Sequence, residues 1–200
     1  MRSVTTVAGI ERSSLLSLEA YARQRGEFRA RVIEHKTRRR VALGPNVTLQ
    51  FEDELTMRYQ VQEMLRIERI FEEEGIQGEL DAYNPLVPDG ANWKATMLIE
   101  YPEPEERRRM LALLKGIAER VWVRVEGCER VYAIADEDLE RDNEGKTSSV
   151  HFLRFELADE MRKALKYGMG LAMGVDHPAY RAELAQVDAA VRASLAEDLA

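Results

Sequence analysis

The chain has 200 residues, 45% of them hydrophobic and 32% charged, with a formal net charge of −7. That length suits one domain with a sizeable core, and the composition excludes wholesale disorder. The negative balance argues against generic nucleic-acid binding.

Residues 1–13 carry no clear periodicity and are expected to be disordered. The opening MRSVTTVAGIERSSLLSLEAY lacks an apolar run followed by a small-residue cleavage site, and no later run approaches the ~18 apolar residues of a membrane span. A cytoplasmic location is therefore expected. Residues 14–36 read as one helix, or as two broken near Gly26, with Leu18, Tyr21, Phe28 and Val32 as its apolar face. Residues 23–40 hold eight basic residues, ending in Arg38-Arg39-Arg40, against Glu27 and Glu34. Residues 41–51 form a hairpin turning at Gly44-Pro45-Asn46.

A helix over 56–74 comes next, with Thr56 as N-cap and Gly75 as its stop. On a helical wheel Met57, Val61, Met64, Ile67 and Phe71 share one stripe, and Gln60 and Glu68 fall inside it. A core-facing carboxylate is costly unless paired, protonated or metal-bound, so Glu68 needs a partner. The polar, proline-bearing segment 78–94 reads as a long loop, and loops of that length are usually functional.

Residues 95–101 form a strand, and Pro102-Glu103-Pro104-Glu105-Glu106 opens a helix with acidic residues near its positive end. A second hairpin, 119–126 with 129–135, turns at Gly127-Cys128. The lone Cys128 builds neither a disulfide framework nor a cysteine-held cluster, and the flanking Glu126 and Glu129 would not activate its thiol. Residues 136–144 are strongly acidic. A strand at 149–157, a helix at 159–167 and a strand at 171–176 lead to an alanine-rich C-terminal helix over 179–199. Its stripe of Leu184, Val187, Val191 and Leu195 packs within the chain or against a second subunit as a homodimer, and both remain open. About seven short, largely antiparallel strands with four or five helices make a single mixed α+β domain.

Two of the three histidines share the phase of apolar residues: His151 with Leu153 and Phe155, His177 with Met173 and Val175. With Glu68 they make a His₂–carboxylate set suited to a mononuclear iron, manganese or zinc ion, to which Asp176, Glu63 or Asp136 would add oxygen. The alternatives are a satisfied core histidine at 151, a cap at 177, and an arginine partner for Glu68 such as Arg38 or Arg40. Arg38, Arg39 and Arg40 are candidate anion ligands; the other reading is a helix end where strand alternation sends Arg39 to one face and its neighbours to the other. In the 78–94 loop, Tyr83, Asn84 and Trp93 would contact a ligand or partner, or Tyr83 and Trp93 simply anchor the loop.

Two near-motifs lack residues that their chemistry requires. Glu144-Gly145-Lys146-Thr147 imitates the end of a phosphate-binding loop, but Glu140 replaces the earlier glycine. Asp136-x-Asp138-x-Glu140 imitates a calcium loop, but Arg141 replaces its glycine.

The segments FRARVIEHKTRRRVALGPNVTLQFED, QEMLRIERIFEEEGIQGELDAYNPLVPDG, IADEDLERDNEGKTSSVHFLRFEL and GVDHPAY resemble the bacterial domain-of-unknown-function family 3501. The resemblance spans most of the chain after about residue 20. It implies an association with rubrerythrin-like proteins and iron–sulfur oxidoreductases encoded nearby, and so with a peroxide, iron or thiol redox system. It implies no catalytic residues. The preferred expectation is an accessory protein that binds a partner or ligand. A metalloenzyme using Glu68, His151 and His177 is the first alternative, and an anion- or nucleic-acid-binding module the second.

Overall fold

Val47, Leu49 and Phe51 alternate along one strand and Trp93, Ala95, Met97 and Ile99 along the next, and all seven side chains are buried. Period-two burial of this kind makes one face of a sheet the wall of a core. In the computed structural model, which describes residues 9–143 and 145–200, the elements run α1 (Leu18–Thr37), β1 (Arg40–Leu43), β2 (Val47–Glu52), α2 (Glu54–Glu68), α3 (Glu73–Tyr83), β3 (Asn92–Ile99), α4 (Pro104–Leu113), β4 (Val121–Val125), β5 (Val131–Tyr132), β6 (Ile134–Ala135), β7 (Val150–Glu156), α5 (Asp159–Lys166), β8 (Leu171–His177), β9 (Tyr180–Leu184) and α6 (Ala189–Ala196). The described strands form two sheets, ordered β1-β2-β3-β7-β6 and β5-β4-β8-β9, with antiparallel pairing throughout. The class is α+β in a single domain, as expected.

The inner faces of both sheets share one core, which Val191, Leu195 and Leu199 of the C-terminal segment help to close. The sheets are stitched at two seams. At one, β5 and β6 are halves of a single segment that changes sheet at Ala133, whose N–H donates to the Val121 carbonyl at 2.8 Å. At the other, the Tyr180 hydroxyl of β9 donates to the Leu43 carbonyl of β1. Gly44 makes this second seam possible: φ is +73°, and a Cβ there would stand 2.7 Å from the Tyr180 hydroxyl oxygen.

The helices α2 and α3, with the preceding short turn, bury a smaller cluster of their own: Ile10, Leu15, Met57, Val61, Leu65, Ile76 and Leu80. Three expectations are corrected in this region. Residues 1–8 of the segment expected to be disordered lie outside the described residues, but Ile10 is buried and Arg12–Ser14 form a 3₁₀ turn. The helix over 14–36 starts at Leu18 and passes through Gly26 without a break. The helix over 56–74 is two helices: α2 ends at Arg69, whose φ of 57° is left-handed, and α3 begins at Glu73 and runs through Gly75 and Gly78.

The start of α2 is also earlier than expected. Asp53 is the N-cap: its Oδ1 accepts from the Thr56 N–H and the Thr56 hydroxyl oxygen accepts from the Asp53 N–H, both at 2.9 Å. These reciprocal bonds satisfy donors that the first turn would otherwise leave open. The buried face is Met57, Val61 and Leu65, spaced by one turn. Ile67 and Phe71 are 60% and 73% exposed, so the stripe inferred from the sequence reaches the core at Met57 and Val61 and leaves it toward its C-terminal end.

The C-terminal helix is likewise shorter than expected. Pro178-Ala179 turns a hairpin in which His177 faces Tyr180, Leu184 ends β9, and α6 begins only after Asp188, whose Oδ1 accepts from the Ala190 N–H at 2.8 Å. Among the described residues no helix is long and apolar enough to cross a membrane.

Candidate functional site

The three residues expected as metal ligands sit in three separate settings. Glu68 is exposed at the end of α2, where its charge adds to the burial that raises the Glu79 carboxyl. The expectation of a core-facing carboxylate is therefore corrected. His177 closes the β8–β9 turn: its Nε2 donates to the Lys115 carbonyl at 3.0 Å and its Nδ1 accepts from the Ala179 N–H at 3.2 Å.

His151, only 1% exposed, is held in the bend of the acidic loop. Its Nδ1 lies 2.5 Å from Asp136 Oδ2, and its Nε2 lies 3.0 Å from both the Thr147 hydroxyl and the Ser148 carbonyl. Asp136, left-handed at φ 51°, uses its other oxygen to accept from the Phe152 N–H at 3.0 Å. The Thr147 hydroxyl donates in turn to Asp142, whose second oxygen caps the Gly116 N–H at 2.9 Å. Bonds of this kind satisfy the buried polar groups of His151 and Thr147 and hold Asp136 and Asp142 against them. Among the described residues no cluster of three histidine, cysteine or carboxylate side chains is placed to hold a metal.

The arginine run is split as its second reading anticipated, although Arg38 and Arg39 belong to the turn between α1 and β1 and not to a strand. Arg38 and Arg40 are exposed, and Arg40 approaches Glu100 at 3.6 Å. Arg39 is 1% exposed. Its guanidinium donates to the carbonyls of Phe51, Glu52 and Ser194 at 3.2, 3.1 and 3.2 Å and to the Asp198 carboxylate at 2.5 Å. Asp53 lies 3.4 Å from Arg39 Nε and 2.5 Å from His35 Nε2. Arg39 thus spends its donors inside the protein, and the three arginines do not act as one anion site.

The expected loop of 78–94 is mostly ordered: α3 runs to Tyr83, and Asn84–Leu86 form a 3₁₀ turn. Asn84 brackets Ile10, accepting from its N–H at 2.7 Å and donating to its carbonyl at 3.3 Å. Tyr83 packs on the small helical cluster. Trp93 is fully buried, with its indole N–H donating to the Leu195 carbonyl at 2.9 Å. Tyr83 and Trp93 are anchors of the fold, and Trp93 presents no surface to a ligand.

An open groove of about 660 Å³ runs between α1 and α2, with Gln24, Phe28, Arg31 and Glu34 on one wall and Arg58 and Gln62 on the other. Phe28 forms its floor, edge-on to Tyr21 and Tyr59 at ring-centroid distances of 6.0 and 5.9 Å. Two guanidiniums stand over that ring, Arg31 at 5.0 Å and Arg58 at 5.7 Å, a favourable cation–π geometry. Arg58 Nε is buried and makes no hydrogen bond, although Glu54 is 3.4 Å away.

The groove is rigidly backed. Gln62 accepts from the Leu16 N–H at 2.6 Å. Glu63 accepts from the Tyr21 hydroxyl at 2.7 Å, from Arg25 at 2.7 and 2.9 Å and from Arg66 at 3.2 Å. Those bonds, Arg25's foremost, hold the Glu63 carboxyl down to about 2, whereas burial and then Glu63 raise the Tyr21 phenol. The sequence carries one sign of this site: Arg31 comes three residues after Phe28 on a helix, so an aromatic that reads as core shares a face with a cation.

A family model described as a protein of unknown function (DUF3501) matches residues 9–199. A protein of unknown function from Burkholderia pseudomallei K96243, known from a crystal structure at 1.90 Å resolution, is 58% identical. The match covers 96% of this chain and 100% of that one, with a TM-score of 0.91. No curated protein matches the chain.

Proposed function

The chain belongs to the DUF3501 family, and from that premise we propose that it is a cytoplasmic accessory protein that binds a protein partner through the α1–α2 groove. The observation that carries this reading is the pair of guanidiniums, Arg31 and Arg58, standing over the Phe28 ring in an open groove. Arginine and aromatic side chains are enriched where protein interfaces concentrate their binding energy. The rim carries both signs of charge, Arg31 with Glu27 and Glu34, which suits a mixed-charge protein segment and disfavours a polyanion. The family resemblance supplies the class of partner: a rubrerythrin-like protein or iron–sulfur oxidoreductase of a peroxide, iron or thiol redox system.

Calorimetric titration with a purified rubrerythrin-like protein and with a purified iron–sulfur oxidoreductase tests this. Arg31→Glu and Phe28→Ala are expected to weaken binding about tenfold or more, in line with interface hot spots, and Arg40→Glu to leave it unchanged. Equal affinity in all three variants, or no binding by the wild type to either class of redox partner, overturns the proposal.

A further inference from the structure

Four ionisable side chains from distant parts of the chain meet at one end of that groove. His35 lies in the last turn of α1, Asp53 is the N-cap of α2, Arg39 opens the turn into β1, and Asp198 lies just beyond α6. The contacts form one line. His35 Nε2 is 2.5 Å from Asp53 Oδ2, the same oxygen is 3.4 Å from Arg39 Nε, and Arg39 Nη2 donates to Asp198 Oδ2 at 2.5 Å. Around this line lie the neutral Ser194, the Phe51 and Glu52 carbonyls and the Gln50 amide. The Glu52 carboxylate points elsewhere, to the Thr96 hydroxyl at 2.8 Å.

The charges in this group do not balance on their own. One arginine faces two carboxylates, so the group carries a net charge of −1 unless it also holds one proton, on His35 or on a carboxyl. An uncompensated charge among buried groups is costly. The location makes that cost consequential, because the same atoms cap α2, bind the α6 carbonyl at Ser194 and join α1 to both.

We propose that His35, Asp53, Arg39 and Asp198 form a one-proton lock on the α1–α2 groove. With the proton bound, the group is neutral and clamps the end of α1, the start of α2 and the C-terminal segment together. On losing it, Asp53 and Asp198 compete for Arg39 and the clamp loosens. This rests on reading the groove as the recognition site and makes partner binding sensitive to pH. The electrostatics agree in sign: burial pushes the Asp198 carboxyl up to about 6 despite Arg39, while Arg39, the Thr56 N–H and His35 together outweigh burial and hold Asp53 below its usual range. The folded Asp198 carboxyl therefore holds a proton that the unfolded chain has released, and the lock weakens as pH rises through about 6.

Amide exchange of the intact protein, corrected for intrinsic rates, tests the lock without any ligand. Between about pH 5 and pH 7.5, protection at Thr56, Met57 and residues 195–200 is expected to fall about tenfold relative to β2 and β3. Asp198→Asn, which makes the group neutral without the proton, is expected to keep the high protection at both pH values. Side-chain NMR titration of the Asp198 carboxyl in the wild type stands beside it should that variant fail to fold, and its midpoint is expected to coincide with that of the loss of amide protection. Protection that does not change with pH, a pH response that persists in Asp198→Asn, or separate midpoints overturns the lock. If instead the lock responds as stated while Arg31→Glu leaves partner affinity intact, the lock stands as a stability device and the groove assignment is what fails.

Discussion

Tyr180 and Leu43 are joined across 137 residues of sequence by a 2.6 Å hydrogen bond from the tyrosine hydroxyl to the leucine carbonyl. The same hydroxyl oxygen accepts from the Asn46 N–H at 3.1 Å. One side chain therefore satisfies two backbone groups in the β1–β2 turn and holds the edge of one sheet against the edge of the other. Neither sheet edge offers its own ladder at this seam, since β1 and β9 belong to different sheets.

Removing only that hydroxyl isolates its contribution. Tyr180→Phe keeps the ring packed against the core but leaves one part-buried carbonyl and one N–H without their partner. A loss of about 1–3 kcal/mol is expected, read as a lower denaturation midpoint with an unchanged slope. A midpoint equal to the wild type's would mean that the seam is held by packing alone.

The acid side of the stability curve should be dominated by a different residue. Glu63 of α2 ties its helix to α1 through Tyr21 and Arg25 and pairs with Arg66 on its own helix, and its carboxyl is held down to about 2, chiefly by Arg25. A carboxyl whose folded pKa is depressed stabilises the fold above its ordinary range, and that contribution is lost as pH falls. Wild-type protein is expected to lose stability steeply between about pH 4.5 and pH 2. Glu63→Gln should be less stable than wild type at neutral pH, with the gap narrowing toward pH 2. Parallel pH profiles for the two proteins would contradict the assignment.

The features legible in the sequence share a local cause. The β1–β2 hairpin shows because Gly44-Pro45-Asn46 punctuates two alternating runs, and β7, α5 and β8 show because their apolar periods are clean. The hidden features depend on residues far apart or on residues that break no local rule. Arg39 looks like one of three surface cations, yet its partners Ser194 and Asp198 lie 155 and 159 positions away. His35 gives no local sign of its role because its partner Asp53 belongs to another element. The β9 segment reads as helix because Tyr180, Ala182 and Leu184 lie in an alanine-rich tail, and only pairing with β8 decides their conformation. Glu68 stands three residues beyond the buried Leu65 at the last position of α2, where the chain turns away at Arg69 and leaves it exposed. A helix end without glycine or proline gives no signal of its own.

That same helix end supports the last prediction, which is a gain in stability. Arg69 adopts φ 57°, ψ 40° at the C-cap of α2, with its N–H donating to the Leu65 carbonyl, and its side chain is exposed. A non-glycine residue is strained in this left-handed region, whereas glycine enters it freely and is the residue most often found at such helix ends. Folding back at this position also lets the Ile70 N–H reach the Leu65 carbonyl at 2.9 Å and seats Ile70 against the small helical cluster, so packing on the C-terminal side of Arg69 fixes the conformation. Arg69→Gly is therefore expected to raise the unfolding free energy by about 0.5–1 kcal/mol, after the larger backbone entropy of glycine in the unfolded chain is offset. Differential scanning calorimetry would register this as a rise of a few degrees in Tm, about what that free energy amounts to for a domain of this size. A fall in Tm would mean that the Arg69 side chain stabilises the corner more than its backbone strains it.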